Sequence, residues 1–376
     1  MVFASLKAGF YLMWTNRRMV YIFYFVNLLL GILLMIPFRQ FVKSFAGESL
    51  MAEKLAGPID IDFIFDLFQK HPALNDVLIV MIVFGLLLYL LANLFLSGGA
   101  YGVFAGSFVS RYRMSDGALL NLQKAGVPDP VLLKLKALKG EVYHSEADFL
   151  QALAAILDPS EQGRWEVQLI RHVRTRYLQP DRSYDSAGFW GNAGQYFARF
   201  FRLGLWALLV LLVLLGIEEA LTRGVQYLIF GKEPYEYISY WGRWLRVLLR
   251  YFVFLLFLMC LDYGRIYTVL SGERKMRRAI VQGIRFTIRN FRRAFTLIFV
   301  FTLMAVMSLL VYNALVDVFS APQTLIIVLL LLWQQLYILT KMTLRVSLYG
   351  GEMYLYQKLN GGALSARQTK PGYFSE

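Results

Sequence analysis

One stretch decides the fold of this protein: VLIVMIVFGLLLYLLANLFLSGG, residues 77–99, has no charged side chain over 23 positions. An α-helix rises about 1.5 Å per residue, so about 20 apolar residues cross the roughly 30 Å hydrocarbon core of a bilayer. Five further, predominantly apolar runs occupy residues 19–37, 203–217, 245–261, 295–315 and 324–344. The run 203–217 is the shortest, and we expect Glu218 and Glu219 to end it at the membrane interface.

The composition of the whole chain agrees with this interpretation. Of 376 residues, 58% are hydrophobic and 17% are charged, and the mean hydropathy is +0.50. Soluble domains contain about 45–50% apolar and about 25% charged residues. We therefore predict an all-α integral membrane protein with six transmembrane helices.

The segments that connect the six runs alternate between net positive and net negative charge. The formal net charges in chain order are +3 (1–18), −2 (38–76), +3 (105–202), −2 (218–242), +7 (262–293), −1 (316–323) and +3 (341–376). Lys and Arg are retained on the cytoplasmic side of a membrane. The pattern therefore predicts that both termini are cytoplasmic, in a cell membrane that we expect to be a bacterial inner membrane.

Three amphipathic stretches lead into the odd-numbered spans and resemble one another. They read GFYLMWTNRR from Gly9, GQYFARFFR from Gly194 and GIRFTIRNFRR from Gly283. The even-numbered spans end in the related strings LSGGAY, DYGRIY and LYGGEMY. The pattern predicts three copies of one unit, made of an interfacial helix, a span, an outer loop, a span and a glycine-rich exit. A chance match of short aromatic and arginine-rich strings is the alternative.

These units divide the chain. The predicted divisions are 1–111, 183–272 and 273–360 for the three units, 112–182 for a cytoplasmic insert and 361–376 for a flexible tail. The insert is expected to be a small helical subdomain, with helices over 118–125, 130–139, 146–157 and 161–178. Docking of a cytoplasmic or membrane protein is the role we expect for it, if it has one.

Two groups of arginines are candidate binding sites. Spacings of three and four residues place the first group on one helical face at the outer end of the fourth span, among Tyr and Trp. It is either an aromatic belt with snorkelling arginines or a site for a phosphate or carboxylate. The second group lies on an amphipathic stretch beside two spans, which favours anionic lipid headgroups over nucleic acid as its partner. The groups are Arg243, Arg246 and Arg250, and Arg285, Arg289, Arg292 and Arg293.

A few polar residues fall within or next to the spans. They are Asn27, Asn93, Asp262, Arg265, Asn313, Gln334 and Gln335. Asp262 and Arg265 are one helical turn apart and are expected to pair. Amides in spans usually form hydrogen bonds between helices, and no acidic residue is expected at mid-membrane. That pattern weighs against a carrier coupled to protons or ions.

The sequence contains no catalytic signature. No glycine-rich phosphate loop, nucleophile elbow or zinc-protease motif is present, and the three histidines lack metal-ligand spacing. We therefore expect no enzymatic activity, no metal and no other cofactor.

The stretch 283–293 and the glycine-rich span exits carry a resemblance. With them, the chain resembles a family of uncharacterised bacterial six-span membrane proteins and, loosely, the membrane domain of glycerophosphodiester phosphodiesterases. The similarity covers the spans and not residues 112–182. The hydrolase half of that family, with its acidic metal-binding residues, is absent, so the resemblance implies no catalytic role.

Two functions are compatible with these observations. The first is a membrane component that handles lipid or a transported solute, alone or with a cytoplasmic partner. It predicts a wet or lipid-filled cavity between the units, reached from the outer arginine group. The second is a scaffold or assembly subunit of a larger membrane complex, which predicts a tightly packed bundle.

Overall fold

The structure is a computed structural model and describes residues 1–46, 72–178, 184–231, 236–318 and 324–368. Within these residues, six helices are long and apolar enough to cross a membrane: α2, α3, α8, α9, α11 and α12. The predicted all-α membrane fold is therefore confirmed. The elements in chain order are α1 (Val2–Thr15), α2 (Arg17–Ala46), α3 (Pro72–Gly106), β1 (Phe108–Arg113), α4 (Asp116–Lys124), α5 (Asp129–Leu135), a 3-10 turn (Lys136–Leu138), β2 (Val142–Tyr143), α6 (Glu146–Ala154), α7 (Pro159–Val173), β3 (Arg174–Leu178), α8 (Ser186–Phe230), α9 (Glu236–Ser271), α10 (Met276–Arg289), α11 (Phe291–Val318) and α12 (Thr324–Gln368).

All six helices extend beyond the predicted runs, and α8 and α12 extend furthest. Helix α8 continues through Glu218 and Glu219 to Phe230, where Gly231 adopts a φ of +74°. Both glutamates are paired with an arginine of α9. Helix α12 continues far past residue 344, and the part of the predicted tail beyond Gln368 lies outside the described residues.

Two of the three amphipathic stretches are separate helices that end at an asparagine. Helix α1 ends at Asn16 and helix α10 at Asn290. In both, the side-chain amide donates a hydrogen bond to the carbonyl four residues earlier, to Leu12 at 2.9 Å and to Phe286 at 3.2 Å. The second stretch has no asparagine at this position, and α8 runs without a break from the amphipathic part into the span.

Each amphipathic stretch packs across the glycine-rich exit of an even-numbered span. A Cβ on Gly283 would lie 2.7 Å from the backbone nitrogen of Gly264, and one on Gly9 would lie 2.9 Å from that of Gly351. In the second stretch, Ala193 occupies this position against Gly98. Gly194 has no atom of another element within 4 Å of such a Cβ, so the structural match lies one residue before the glycine used to align the sequences.

The order of these contacts closes a ring. The second stretch packs on α3 and the third on α9, the even-numbered spans that precede them, whereas α1 packs on α12, the last span. The ends of α3, α9 and α12 are thereby surrounded by the three amphipathic stretches. This arrangement brings residues from all parts of the chain together at one level.

The insert folds around a small core of its own. Four helices form close to the predicted positions, and Ser115 and Ser145 cap α4 and α6 with their side-chain oxygens. The last predicted helix ends at Val173, and the next five residues form β3. Strands β2, β1 and β3 make an antiparallel three-stranded sheet in that order, which the sequence did not predict. Helix α7 and strand β3 contact the extended end of α12.

Burial in the spans is confined to the halves that carry the glycine contacts. We call these the inner halves. In α2, α8 and α11 the inner half is the N-terminal part, up to Phe23, Ala207 and Phe301. In α3, α9 and α12 it is the C-terminal part, from Asn93, Leu255 and Met342 onward. In the outer halves, Gly85 and Glu218 are the buried residues among those described. The outer halves therefore leave most of their apolar side chains for contact with lipid or with a bound molecule.

Candidate functional site

A group of buried and half-buried polar side chains lies in the inner halves of three spans, with Tyr89 just outside the inner half of α3. We call it the inner polar cluster and define it as Tyr89 and Tyr101 on α3, Asp262, Tyr263 and Arg265 on α9, and Arg345, Tyr349 and Glu352 on α12. Tyr101 and Tyr263 have no exposed surface and Glu352 is 1% exposed. Charged groups at this depth are costly unless paired, so they are candidate functional groups.

The glycine contacts explain why these side chains meet. Because Gly264 and Gly351 allow the backbones of the amphipathic helices to approach closely, the neighbouring turns of α9 and α12 are held side by side. Gly98 and Gly99 hold α3 against α8 in the same way. Aromatic packing adds to this: the ring centroids of Tyr101 and Tyr349 are 4.8 Å apart.

Both arginines of the cluster form hydrogen bonds to its other side chains. Arg265 donates to the Asp262 carboxylate at 2.8 Å, the pair expected from their spacing. Arg345 donates to the hydroxyl of Tyr349 at 2.9 Å and to that of Tyr89 at 3.0 Å. Arg345 therefore links α12 to α3 without a direct carboxylate partner.

Glu352 is bonded at one oxygen only. Its Oε2 accepts a hydrogen bond from the Tyr101 hydroxyl at 3.2 Å. Its Oε1 and the hydroxyl of Tyr263 are buried and have no hydrogen-bond partner among the described residues. A buried oxygen without a hydrogen-bond partner normally lowers the stability of a protein, so these two oxygens are candidates to bind a ligand.

The outer arginine group is only partly available for a ligand. Arg250 contacts two carboxylates of α8, Glu218 at 3.3 Å and Glu219 at 2.6 Å. The Glu218 side chain is 4% exposed, so this acidic group is buried directly after the third predicted span. Arg243 is exposed and Arg246 is half-buried. Within the described residues neither forms an ion pair, so these two remain the candidate contacts for an anionic headgroup.

The inner arginine group lies on the surface of the bundle. Arg285, Arg289, Arg292 and Arg293 are all exposed. The buried face of α10 includes Phe286, whereas Ile288 is 71% exposed. The exposed surface thus combines arginines with apolar side chains, as expected of a helix in the headgroup region.

The remaining polar residues serve helix packing or face outward. Gln335 accepts a hydrogen bond from the Tyr24 hydroxyl at 2.8 Å and so joins α12 to α2. Asn27 and Asn93 donate to carbonyls of their own helices, and Asn27 also contacts the sulfur of Met342 at 3.6 Å. Asn313 and Gln334 are exposed on the bundle surface.

A cleft lies between the outer halves of α11 and α12. It encloses about 270 Å³ and is lined mainly by apolar and aromatic side chains. The rings of Tyr312 and Tyr337 stack at 4.8 Å beside it, and the Trp333 indole donates to the Tyr312 carbonyl at 3.4 Å. The cleft is in the fifth and sixth spans, whereas the outer arginine group is on the fourth. The predicted cavity was expected between the units and reached from that group, whereas this cleft lies within the third unit.

Sequence reasoning named two of the eight residues of the inner polar cluster, Asp262 and Arg265. Arg345, Tyr349 and Glu352 follow residue 344, where the sixth span was expected to end, so they were assigned to the exit and not to the interior. The nearby string LYGGEMY was the signal that could have found them, because its glycines mark a close backbone contact.

Comparison with known proteins adds no assignment: no family model, no curated protein and no solved structure matches this chain. Among the described residues, no group of three His, Cys, Asp or Glu side chains could hold a metal ion. The functional argument therefore depends on the geometry alone.

Proposed function

We propose that this multi-pass membrane protein is a non-enzymatic component that handles lipid or another amphiphilic solute. Its substrate enters between the outer halves of the spans. The closely packed inner halves, with the inner polar cluster, block its further passage. In this proposal both termini and the insert are cytoplasmic, in a bacterial inner membrane. We also propose a similarity of this chain to the membrane domain of glycerophosphodiester phosphodiesterases.

The contrast between the two halves of the spans is the observation that supports this function. The inner halves are closed by glycine contacts and a buried polar cluster, whereas the outer halves bury almost no side chain among the described residues. The cleft between α11 and α12 has the apolar lining and size of a site for an acyl chain or a small amphiphile. A bundle that served only as a rigid scaffold would gain stability from tight packing over its whole length.

Arginines in both leaflets would contact the lipid headgroups. Arg243 and Arg246 would bind a phosphate at the outer side, since Arg250 is held by Glu218 and Glu219. The exposed arginines of α10 and α11 would bind anionic lipid at the inner side, where each is worth about 1 kcal/mol.

A scaffold function remains the second candidate, supported by the surface of the insert. Leu133 is 71% exposed and Leu120 is 51% exposed, although the insert has a core of its own. Exposed apolar side chains on a folded subdomain are typical of protein contacts. In this alternative, a cytoplasmic or membrane partner binds residues 112–182.

Lipid transfer in proteoliposomes tests the first function. The full chain is reconstituted with a headgroup-labelled fluorescent phospholipid, and loss of fluorescence is followed after a membrane-impermeant reductant is added. We expect the wild type to expose inner-leaflet label faster than empty liposomes, and Arg243→Ala with Arg246→Ala to slow the transfer several-fold. Arg250 is kept, because its removal would leave Glu218 buried without its ion-pair partner.

The matched control changes the other leaflet. Arg285→Ala with Arg289→Ala removes the same charge from the inner side and should slow transfer less than the outer pair. If the wild type equals empty liposomes and instead co-purifies with a partner that Leu133→Asp releases, the scaffold function replaces the first one.

A further inference from the structure

The unpartnered oxygen of Glu352 points to a ligand inside the inner polar cluster. Its carboxyl group is almost fully buried, and only Oε2 has a hydrogen-bond partner, the Tyr101 hydroxyl. Burial of an ionised carboxylate is costly unless a cation and several donors compensate for the lost water. The surroundings of this group decide whether such compensation exists.

Among the described residues, neither arginine of the cluster donates a hydrogen bond to Glu352. Arg265 forms an ion pair with Asp262 at 2.8 Å, and the charge of Arg345 also acts on Asp262. The charge that acts most strongly on Glu352 is, in contrast, the negative charge of Asp262 itself. Two ionised carboxylates so close together repel each other, and the usual solution is that one of them holds a proton.

The hydrogen-bond donors lead to the same result. The Tyr101 hydroxyl lies within hydrogen-bonding range of both Glu352 and Asp262, yet it has a single hydrogen to donate. Two further groups act on Glu352: the hydroxyl of Tyr263 and the charge of Arg265, which is already paired with Asp262. No lysine or arginine donates to Glu352 among the described residues.

We propose that Glu352 binds a proton and is a neutral carboxylic acid in this closed arrangement, while Asp262 is an ionised carboxylate paired with Arg265. A proton is the cation that fits, because it needs no cavity. A metal ion would need several oxygen or nitrogen ligands, and the described residues form no cluster that could hold one.

This proton would matter for the proposed function. If the inner side opened to let a substrate pass, water would reach Glu352 and the carboxyl would release its proton. That consequence depends on the proposed function, whereas the proton site itself is a property of the closed protein and can be tested separately.

Infrared spectroscopy tests the proton site. The full chain is reconstituted in lipid at neutral pH, and the carbonyl stretch of a protonated carboxylic acid is recorded, before and after exchange into deuterium oxide. We expect the wild type to show this band, Glu352→Gln to lose it, and Glu218→Gln to retain it. The last variant is the matched control, since it removes a buried carboxyl that lies outside the cluster.

Three results would overturn the proposal: no protonated-acid band in the wild type, a band that persists in Glu352→Gln, or a band that disappears in Glu218→Gln. Tyr101→Phe gives a second measurement if Glu352→Gln does not fold. It removes the hydrogen bond to Oε2 and should shift the band to higher frequency, while an unshifted band would assign the proton to another group. Lipid transfer by a protein without the band would contradict the proton site and leave the proposed function intact.

Discussion

The inner and outer halves of the same six helices are built differently. In the inner halves, backbones meet at glycines, aromatic rings stack, and polar groups bond across three spans. In the outer halves, the contacts are mostly within one hairpin, such as Leu34 with Gly85 and Arg250 with Glu218. Lipid tails are as apolar as leucine, so packing and hydrogen bonds must hold helices together in a membrane. In the outer halves, few packing contacts and few hydrogen bonds join one hairpin to another, so the outer halves are the part of the bundle that can separate.

The largest effect should come from the glycines of the inner halves. Gly283→Leu would place a side chain where the Gly264 backbone lies 2.7 Å from the new Cβ. Since neither backbone can move without disturbing the cluster, we expect a loss of about 3 kcal/mol or more of folding free energy. Thermal unfolding in detergent micelles measures it.

Gly216→Leu is the matched control for that experiment. Gly216 lies in the outer half of α8, where a Cβ would have no atom of another element within 4 Å. We expect a melting temperature close to that of the wild type. Equal destabilisation by both variants would remove the distinction between the two halves.

A smaller effect is expected from the ion pairs of the outer half. Arg250→Ala leaves the buried Glu218 carboxylate without its ion-pair partner, so the melting temperature should fall. Adding Glu218→Gln and Glu219→Gln removes the unpaired charges, so the melting temperature should return most of the way to that of the wild type. A single variant that melts like the wild type would show that lipid or water replaces the arginine.

The smallest effect is expected where an amphipathic helix joins a span. Asn290→Ala removes the hydrogen bond to the Phe286 carbonyl and should cost about 1 kcal/mol. Asn313→Ala, on an exposed asparagine of the next helix, serves as its control and should change little. If both variants unfold at the same temperature, the asparagine does not fix the junction.

Apolar runs predicted the six spans, because a stretch without charge is sufficient to indicate a helix across lipid. The glycine strings indicated where helices approach, and the paired asparagines of the first and third stretches mark the same break in the structure. The outer arginine group was predicted as a set, but which member is free depends on Glu218 and Glu219, which approach it only after α8 and α9 pack together.

The inner polar cluster was harder to predict for a physical reason. Charges such as Arg345 and Glu352 normally indicate the end of a span, and here α12 continues past them to contact the insert. Their burial depends on Tyr89 and Tyr101, which are distant in sequence and come from another hairpin. The sheet of the insert was missed because the residues of β3 continue the pattern of the preceding helix.

The contact between the first helix and the last has a consequence for synthesis. Gly9 is synthesised long before the backbone that it packs against, at Ser347 and Gly351. During translation α1 must wait on the membrane surface, with Ser5, Leu12 and the rest of its packing face uncovered. The contacts around the inner polar cluster are thus completed late in synthesis. A nascent chain that lacked α12 would have two hairpins and a single span, without the contact between α1 and α12.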